Sequence, residues 1–277
     1  MPELPEVEVV RAALEPWLAG RTLRWARRVE APAGPKYHGL ERVAGQRVLA
    51  VTRRGKFLVM PLDSGESLVV HLGMTGVLSG TRPDDHLRVE VALEGRRENR
   101  LYFRDPRRFG RFVCLSPGEE ALLPTLAAMG PEPLSPAFSV AHLRQGLERR
   151  GAGLKVLLLG QRLVAGVGNI YADEALWRAK LHPERPASSV TAEEAESLWR
   201  AIREVLAEAI ADGGTTLRDY RTVSGERGAH QEALGVYGRA GATCPRCAAV
   251  LERLVVGQRG TTFCPRCQVA KKPGRRR

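Results

Sequence analysis

The sequence contains no apolar run approaching the roughly 18–20 residues that span a bilayer, which excludes a membrane-crossing helix. It has no internal repeat and no complete nucleotide-binding loop. Gly166-Val167-Gly168 lacks the third glycine of a dinucleotide fingerprint, and Gly55-Lys56-Phe57 lacks the Ser or Thr of a phosphate loop. The six histidines form no His-Glu-x-x-His pair, so no catalytic metal site is expected from them. The first 20 residues carry Glu3, Glu6 and Glu8 where a secretory signal would carry a basic segment and then an apolar one, so no signal is expected. Cysteine is scarce: there are five in 277 residues, an odd number that argues against a disulfide framework. Hydrophobic residues at 43% and charged residues at 27% exclude disorder, collagen and coiled coil as descriptions of the whole.

What is present is positive charge. Lys and Arg number 43 against 31 Asp and Glu, leaving +12 and a pI near 10.1. Such an excess calls for a polyanionic partner, either nucleic acid or an anionic membrane surface. The length corresponds to slightly under two domains of about 150 residues, enough for a real core.

Four of the cysteines form a pattern. Cys244-x2-Cys247 and Cys264-x2-Cys267 are separated by sixteen residues, the spacing of a four-thiolate zinc site. Two thiolates three positions apart on one knuckle face a single ion, and a second knuckle completes a tetrahedron. A closed set of four leaves no open coordination position, so the ion is structural. Cys114, within Phe112-Val113-Cys114-Leu115, reads as core.

The fold class expected is α+β in two domains. Residues 4–19 read as a helix, with Pro5 in its first turn, Val7, Val10, Leu14 and Trp17/Leu18 at helical spacing, Gly20 as a stop, and Pro16 counting against the last turn. Short β-like runs follow at 48–52, 56–62, 67–71, 87–93 and 101–115, giving a β-sandwich or barrel over residues 1–115. Within 87–93 the alternation of Leu87, Val89, Val91 and Leu93 predicts a half-buried strand. Five prolines over 116–136 mark an interdomain linker containing a short helix. The chain then turns helical over 137–237; Thr191 with Glu194 forms a capping box for a long amphipathic helix that Gly213-Gly214 stops. A polar loop at 216–228 precedes a metal-dependent module at 238–270 and a basic tail at 271–277.

Chemistry gathers at Met1-Pro2-Glu3-Leu4-Pro5-Glu6-Val7-Glu8. With Met1 removed, Pro2 is a secondary amine whose class titrates near 8, so a fraction is neutral and nucleophilic at pH 7. The positive end of the following helix favours that neutral form. Attack on a sugar C1′ gives an iminium that is cationic without protonation, and Glu3 is placed for proton transfer at the sugar ring. The rival reading is an acidic helix cap with proline at its first position.

Met1–Glu8 resembles the start of the formamidopyrimidine-DNA glycosylase and endonuclease VIII family, and five further motifs match in order. Lys56 in Arg53-Arg54-Gly55-Lys56-Phe57 is similar to the family's β-hairpin lysine. His71-Leu72-Gly73-Met74-Thr75-Gly76 and Asp105-Pro106-Arg107-Arg108-Phe109-Gly110 resemble its two DNA-intercalation loops. Val164–Tyr171 resembles the turn of its helix–two-turn–helix, and the cysteine module with Gln258-Arg259-Gly260 resembles its zinc finger.

The resemblance implies an N-terminal β-sandwich flanked by helices and a C-terminal helix–two-turn–helix domain carrying a four-cysteine zinc β-hairpin. It implies Pro2 as Schiff-base nucleophile, Glu3 as acid/base partner, Lys56 as proton donor and phosphate contact in β-elimination, and Arg259 as an aid to δ-elimination. Asn169 would hold a phosphate beside the lesion, and His86, Arg150 (or its neighbour Arg149), Lys155 and Tyr237 match other DNA-contacting positions. Met74 and Phe109 are shaped to wedge between base steps, and Arg107 to bond an orphaned base. Leu4 and the Met74/Arg107/Phe109 set match the formamidopyrimidine branch, implying excision of 8-oxoguanine opposite C and of formamidopyrimidines, then β,δ-elimination. The alternatives are an endonuclease VIII-like enzyme for oxidised pyrimidines and a non-catalytic zinc DNA-binding protein. The expected partner is double-stranded DNA with oxidised bases or abasic sites. One structural zinc is expected, with no catalytic metal, organic cofactor or membrane contact, in a monomeric, cytoplasmic, nucleoid-associated protein. The loop at 216–228 is the expected cap over a flipped base.

Overall fold

The computed structural model describes residues 2–95, 100–148, 150–217 and 220–270. Met1, whose removal the Pro2 chemistry requires, Arg149 and the basic tail at 271–277 lie outside the described residues. Residues 1–127 and 209–231 form one compact unit, and 128–208 with 232–277 a second.

The first unit opens with α1 (Leu4–Leu18), which runs through Pro16 with Leu4, Val7, Val10, Leu14 and Leu18 buried along one stripe. Two antiparallel sheets follow. One has the order β2 (Gln46–Arg47), β1 (Thr22–Arg28), β7 (Leu87–Leu93), β8 (Arg100–Arg104), β6 (Val77–Ser79). The other has the order β3 (Thr52–Arg54), β4 (Phe57–Pro61), β5 (Ser67–His71), β9 (Arg111–Leu115). Leu58, Met60, Val70, Phe112 and Cys114 of the second sheet meet Leu23, Val89, Val91, Leu101 and Phe103 of the first, and α1 adds its stripe to the same core. Cys114 is fully buried there, and burial pushes its thiol up to about 12, as a plain core residue requires.

The structure corrects three readings of the strands. The run at 48–52 is an isolated bridge at Val48 and then loop, with only Thr52 in β3. The run at 101–115 is two strands, β8 and β9, divided by the 105–110 loop and placed in different sheets. β7 is buried along its whole length, not on one face. Its polar residues stay dry because they are paired: Glu90 takes hydrogen bonds from Arg27 and Arg100, and Arg88 bonds the Asp105 carbonyl. Alternation marks a half-buried strand only when the polar face meets water, and here ion pairs cover it.

The 116–127 stretch, with α2 (Pro124–Ala127), belongs to the first unit. The second unit holds α3 (Val140–Leu147), α4 (Leu154–Leu159), α5 (Asn169–Arg178) and most of α6 (Ala192–Ala211). Thr191 and Glu194 cap α6 reciprocally, backbone N–H to side chain, at 2.9 and 3.3 Å. The unit ends in the hairpin β10 (Glu252–Val256) and β11 (Arg259–Phe263). Its two-residue turn, Gly257-Gln258, has positive φ at both positions, the conformation whose twist matches paired strands. No helix among the described residues is long and apolar enough to cross a membrane.

Candidate nucleic-acid interface and catalytic cluster

In the first unit, Pro2 and Glu3 are buried at the head of α1, Glu3 with only 1% of its surface exposed. Glu6, one turn on, accepts the Glu3 backbone N–H at 2.7 Å through one carboxylate oxygen and the Thr215 N–H at 2.8 Å through the other. Residues 209–231, read from sequence with the second domain, are therefore drawn to the start of α1.

Lys56 sits in the β3–β4 turn beside Gly55, which takes φ +55°, and is 8% exposed. Two contacts fix the direction of this hairpin. The Glu15 side chain of α1 accepts the Val51 N–H at 2.9 Å, and Glu8 accepts Arg53 Nε at 2.7 Å. Passing from Val51 to Arg53 thus means passing from Glu15 back to Glu8, so β3 runs antiparallel to α1 and its turn falls toward the Pro2–Glu3 end. Pro2, the Glu3 carboxylate and the Lys56 ammonium are brought to one end of one unit.

His71 lies beneath, its ring 4.7 Å from Phe57. Burial, with the positive charges of Lys56 and Arg111, pushes it down to about 4, so it is neutral at pH 7. Its Nδ1 accepts the Gly73 N–H at 3.1 Å, which leaves the proton on Nε2.

The 71–76 and 105–110 loops abut. A Cβ on Gly73 would fall 2.5 Å from the Phe109 carbonyl carbon, and Gly73 takes φ +65°, so only glycine fits. Met74 is half-buried and Arg107 exposed; Phe109 is 49% exposed, a large apolar ring left in solvent. The Arg107 guanidinium lies 4.9 Å from the Phe109 ring centroid and Lys36 Nζ 5.9 Å from it. His86, half-buried with φ +56°, flanks this surface. Sequence reasoning missed what lies underneath: Thr75, Arg88 and Asp105, all buried and mutually bonded. Asp105 lay inside a recognised motif, but nothing local marked Arg88.

The second unit carries a separate cluster. Asn169 is the first residue of α5 after the Val164–Gly168 turn, which Gln161 braces by accepting Gly166 N–H at 2.9 Å and donating to the Val167 carbonyl at 2.7 Å. Asn169 Nδ2 donates to the Gly260 carbonyl at 3.0 Å and to the Tyr237 hydroxyl at 3.4 Å. Glu174 accepts the N–H groups of Gly235, Val236 and Tyr237 at 2.9, 2.9 and 2.8 Å, fixing the segment that carries Tyr237. Arg259, at the hairpin tip, and Arg150 are exposed.

Lys155 departs from its expected place at a DNA-facing surface. It is fully buried, paired with Asp173 at 2.6 Å and bonded to Thr261 Oγ1 at 2.7 Å, so its charge faces protein. Asp173 also accepts the Thr262 N–H at 3.0 Å; burial pushes its carboxyl up to about 6 while Lys155 pulls it down. The pair holds the zinc hairpin to α4 and α5.

The four cysteine sulfurs lie within 4.8 Å of one another, none in a disulfide. Separations of 3.4–4.0 Å between Cys247 and Cys264, Cys247 and Cys267, and Cys244 and Cys267 bracket the roughly 3.8 Å edge of a tetrahedron with Zn–S bonds near 2.3 Å. Burial opposes ionisation of Cys244, yet N–H donors from Arg246, the Trp177 indole and Cys247 hold it down at about 6. The residues fit one structural zinc, which would cross-link the two knuckles and do no chemistry.

Comparison with known proteins covers the whole arrangement. The formamidopyrimidine-DNA glycosylase N-terminal domain profile matches residues 1–112, the H2TH domain profile of the same proteins 129–221, and the zinc finger found in FPG and IleRS 241–269. The chain is 52% identical over 270 residues to the formamidopyrimidine-DNA glycosylase of Thermus thermophilus, covering 97% of this chain and 98% of that one. It is 47% identical over 281 residues to that of Deinococcus radiodurans, covering 97% of each. The crystal structure of the Thermus thermophilus MutM (Fpg) protein superposes with a TM-score of 0.90 at 50% identity, covering 98% of this chain and all of that one. A Lactococcus lactis Fpg variant bound to Fapy-dG-containing DNA gives 0.86 at 33% identity, covering 97% and 100%.

Proposed function

The chain belongs to the formamidopyrimidine-DNA glycosylase family, and from that premise we propose how its own residues carry out base excision. It is a bifunctional DNA glycosylase and abasic-site lyase acting on damaged double-stranded DNA. A flipped oxidised purine presents C1′ to the Pro2 amine. The amine nitrogen bonds C1′ as the glycosidic bond breaks; the electron pair leaves with the base, which takes up the proton that the amine nitrogen gives up. Glu3 moves the proton at the sugar ring that lets the ring open to the iminium. With the iminium as electron sink, loss of a C2′ proton breaks the 3′ C–O bond, and Lys56 donates the proton the leaving phosphate needs. Arg259 assists the second elimination at the 5′ side.

Met74 and Phe109 fill the gap left by the extruded base, and Arg107 bonds the orphaned partner, a task suited to a bidentate donor. His86, Asn169, Arg150 and Tyr237 take phosphates, and Lys155 acts by holding the hairpin. The 216–228 segment caps the flipped base. The protein works as a monomer at the nucleoid in the cytoplasm. The observation that carries this reading is the antiparallel seating of α1 against β3, which brings Pro2, Glu3 and Lys56 to one end.

Borohydride reduction of the iminium tests it. A duplex carrying 8-oxoguanine opposite C should give a covalent adduct, with none in a Met1-retaining variant, whose Pro2 nitrogen is an amide. Absence of an adduct on any oxidised base would overturn the mechanism. Adducts only with oxidised pyrimidines would favour the endonuclease VIII-like reading. Mass spectrometry of the N-terminus establishes whether Met1 is gone.

A further inference from the structure

Beneath the wedge surface, three loops meet at one buried carboxylate. Asp105 Oδ1 accepts the Thr75 hydroxyl at 2.7 Å, and Oδ2 accepts the Gly110 N–H at 2.7 Å. The Asp105 N–H donates to the His86 carbonyl at 3.1 Å, and its own carbonyl accepts Arg88 Nε at 2.9 Å. Thr75 Oγ1 in turn accepts the Arg107 N–H at 3.3 Å. Asp105 is 0% exposed and Thr75 7%, so neither presents a side chain to a ligand. Each is a sequence neighbour, or near neighbour, of a residue that does: Met74 precedes Thr75, and Arg107 and Phe109 follow Asp105.

Extruding a base costs a few kcal/mol, and the groups that fill the gap must hold their spacing against that load. On independently mobile loops, each residue ordered at insertion would cost backbone entropy. The buried bonds remove that cost in advance. We propose that Thr75 and Asp105 are positioning residues that lock gap filling by Met74 to opposite-base reading by Arg107. Discrimination between partner bases then depends on two side chains that never touch DNA. The inference rests on the wedge and reader roles given above.

The test compares Thr75→Val, which keeps shape and loses the hydroxyl, with Thr75→Ser, which keeps it, and with Asp105→Asn. The first readout is the ratio of single-turnover excision of 8-oxoguanine opposite C to that opposite A. The second is borohydride trapping on a single-stranded abasic oligonucleotide, which has no partner base to read. Thr75→Val should lower the ratio by about fivefold or more, the effect of one buried hydrogen bond, while Thr75→Ser stays within about twofold. Asp105→Asn should fall at least as far. Trapping by Thr75→Val should stay within about twofold of the parent. In the Thr75→Val/Arg107→Ala double variant the ratio should fall no further than in Arg107→Ala alone. Additive losses, a ratio unchanged in Thr75→Val, or trapping lost in parallel with it would each overturn the proposal. If Arg107→Ala itself keeps the parent ratio, the reader role fails first, and the fault lies in that reading and not in the coupling.

Discussion

The Glu6 carboxylate accepts the Thr215 backbone N–H at 2.8 Å, joining positions 209 apart in the chain. The same side chain caps Glu3, and the Tyr220 hydroxyl reaches the Glu6 carbonyl at 3.4 Å. A Cβ on Gly214 would stand 3.1 Å from the Glu6 side chain, and Gly214 takes φ +82°. One turn of α1 thereby fixes both the proposed acid/base residue and the base of the loop proposed to cap the lesion.

Glu6→Ala should cost about 2–4 kcal/mol in urea unfolding, because it orphans two buried N–H donors. Glu6→Gln should cost less, since one oxygen can still accept. Cleavage within 220–228 by a low dose of protease should rise in both, and more in the alanine variant; unchanged cleavage would show that Glu6 does not hold the loop.

His71 gives the first unit a pH dependence. Its folded value of about 4 lies below the ordinary 6.5, so between those values the unfolded chain binds more protons than the folded one. Stability therefore falls as pH is lowered from about 6.5 toward 4, by at most about 1.4 kcal/mol per pH unit. Denaturation at pH 7, 5.5 and 4.5 should show a shallower slope in His71→Gln than in the parent. Equal slopes would remove His71 as the cause.

Breaking the Lys155–Asp173 pair on one side leaves a buried charge alone. Asp173→Ala should destabilise by about 3–5 kcal/mol, whereas Lys155→Met with Asp173→Leu, which removes both charges, should cost less than the single change. A thermal-melt series reads the difference. A double variant as unstable as Asp173→Ala would argue that the pair's geometry, not its charge balance, sustains the hairpin.

Chelation, or Cys247→Ser, should unfold residues 241–269 and abolish DNA binding, because two dozen residues supply little core of their own. The Gly260 and Thr261 contacts to Asn169 and Lys155 go with the hairpin. The unfolding transition of the first unit should be unchanged. Undiminished binding after metal removal would refute the hairpin's role.

Salt should weaken the complex steeply. If about six phosphates are neutralised, affinity falls by about a thousandfold between roughly 50 and 200 mM. A titration series that stays flat would mean that the +12 net charge is spread over the surface without meeting DNA.

The features legible in the sequence share a short range. The zinc ligands sit in two knuckles whose geometry is set within four residues, so spacing alone revealed them. The α6 capping box and the α1 apolar stripe are likewise closed within one or two turns. Lys56 and the proposed wedge residues were found through short motifs that resemble the family's turns, and the glycine of one of them, Gly73, proves to be sterically obligatory.

Other features were hidden because their partners lie far along the chain. Nothing within ten residues of Lys155 says that Asp173 waits for its ammonium, and so a cation matched to a DNA-facing position is found inside the protein. Arg88 and Glu90 read as the wet face of a strand until Asp105, Arg27 and Arg100 are seen to cover them. The 209–231 segment follows the helical region in sequence yet belongs to the first unit, because Glu6 offers an acceptor there.

The sequence by itself thus determined the chemical groups: a proline at position 2, a lysine, a four-thiolate set and an excess of positive charge. Only the tertiary structure decided which charges face outward and which hold the scaffold. Burying a charge is costly unless a partner is waiting, and the partner's position is fixed by the fold and not by its distance along the chain.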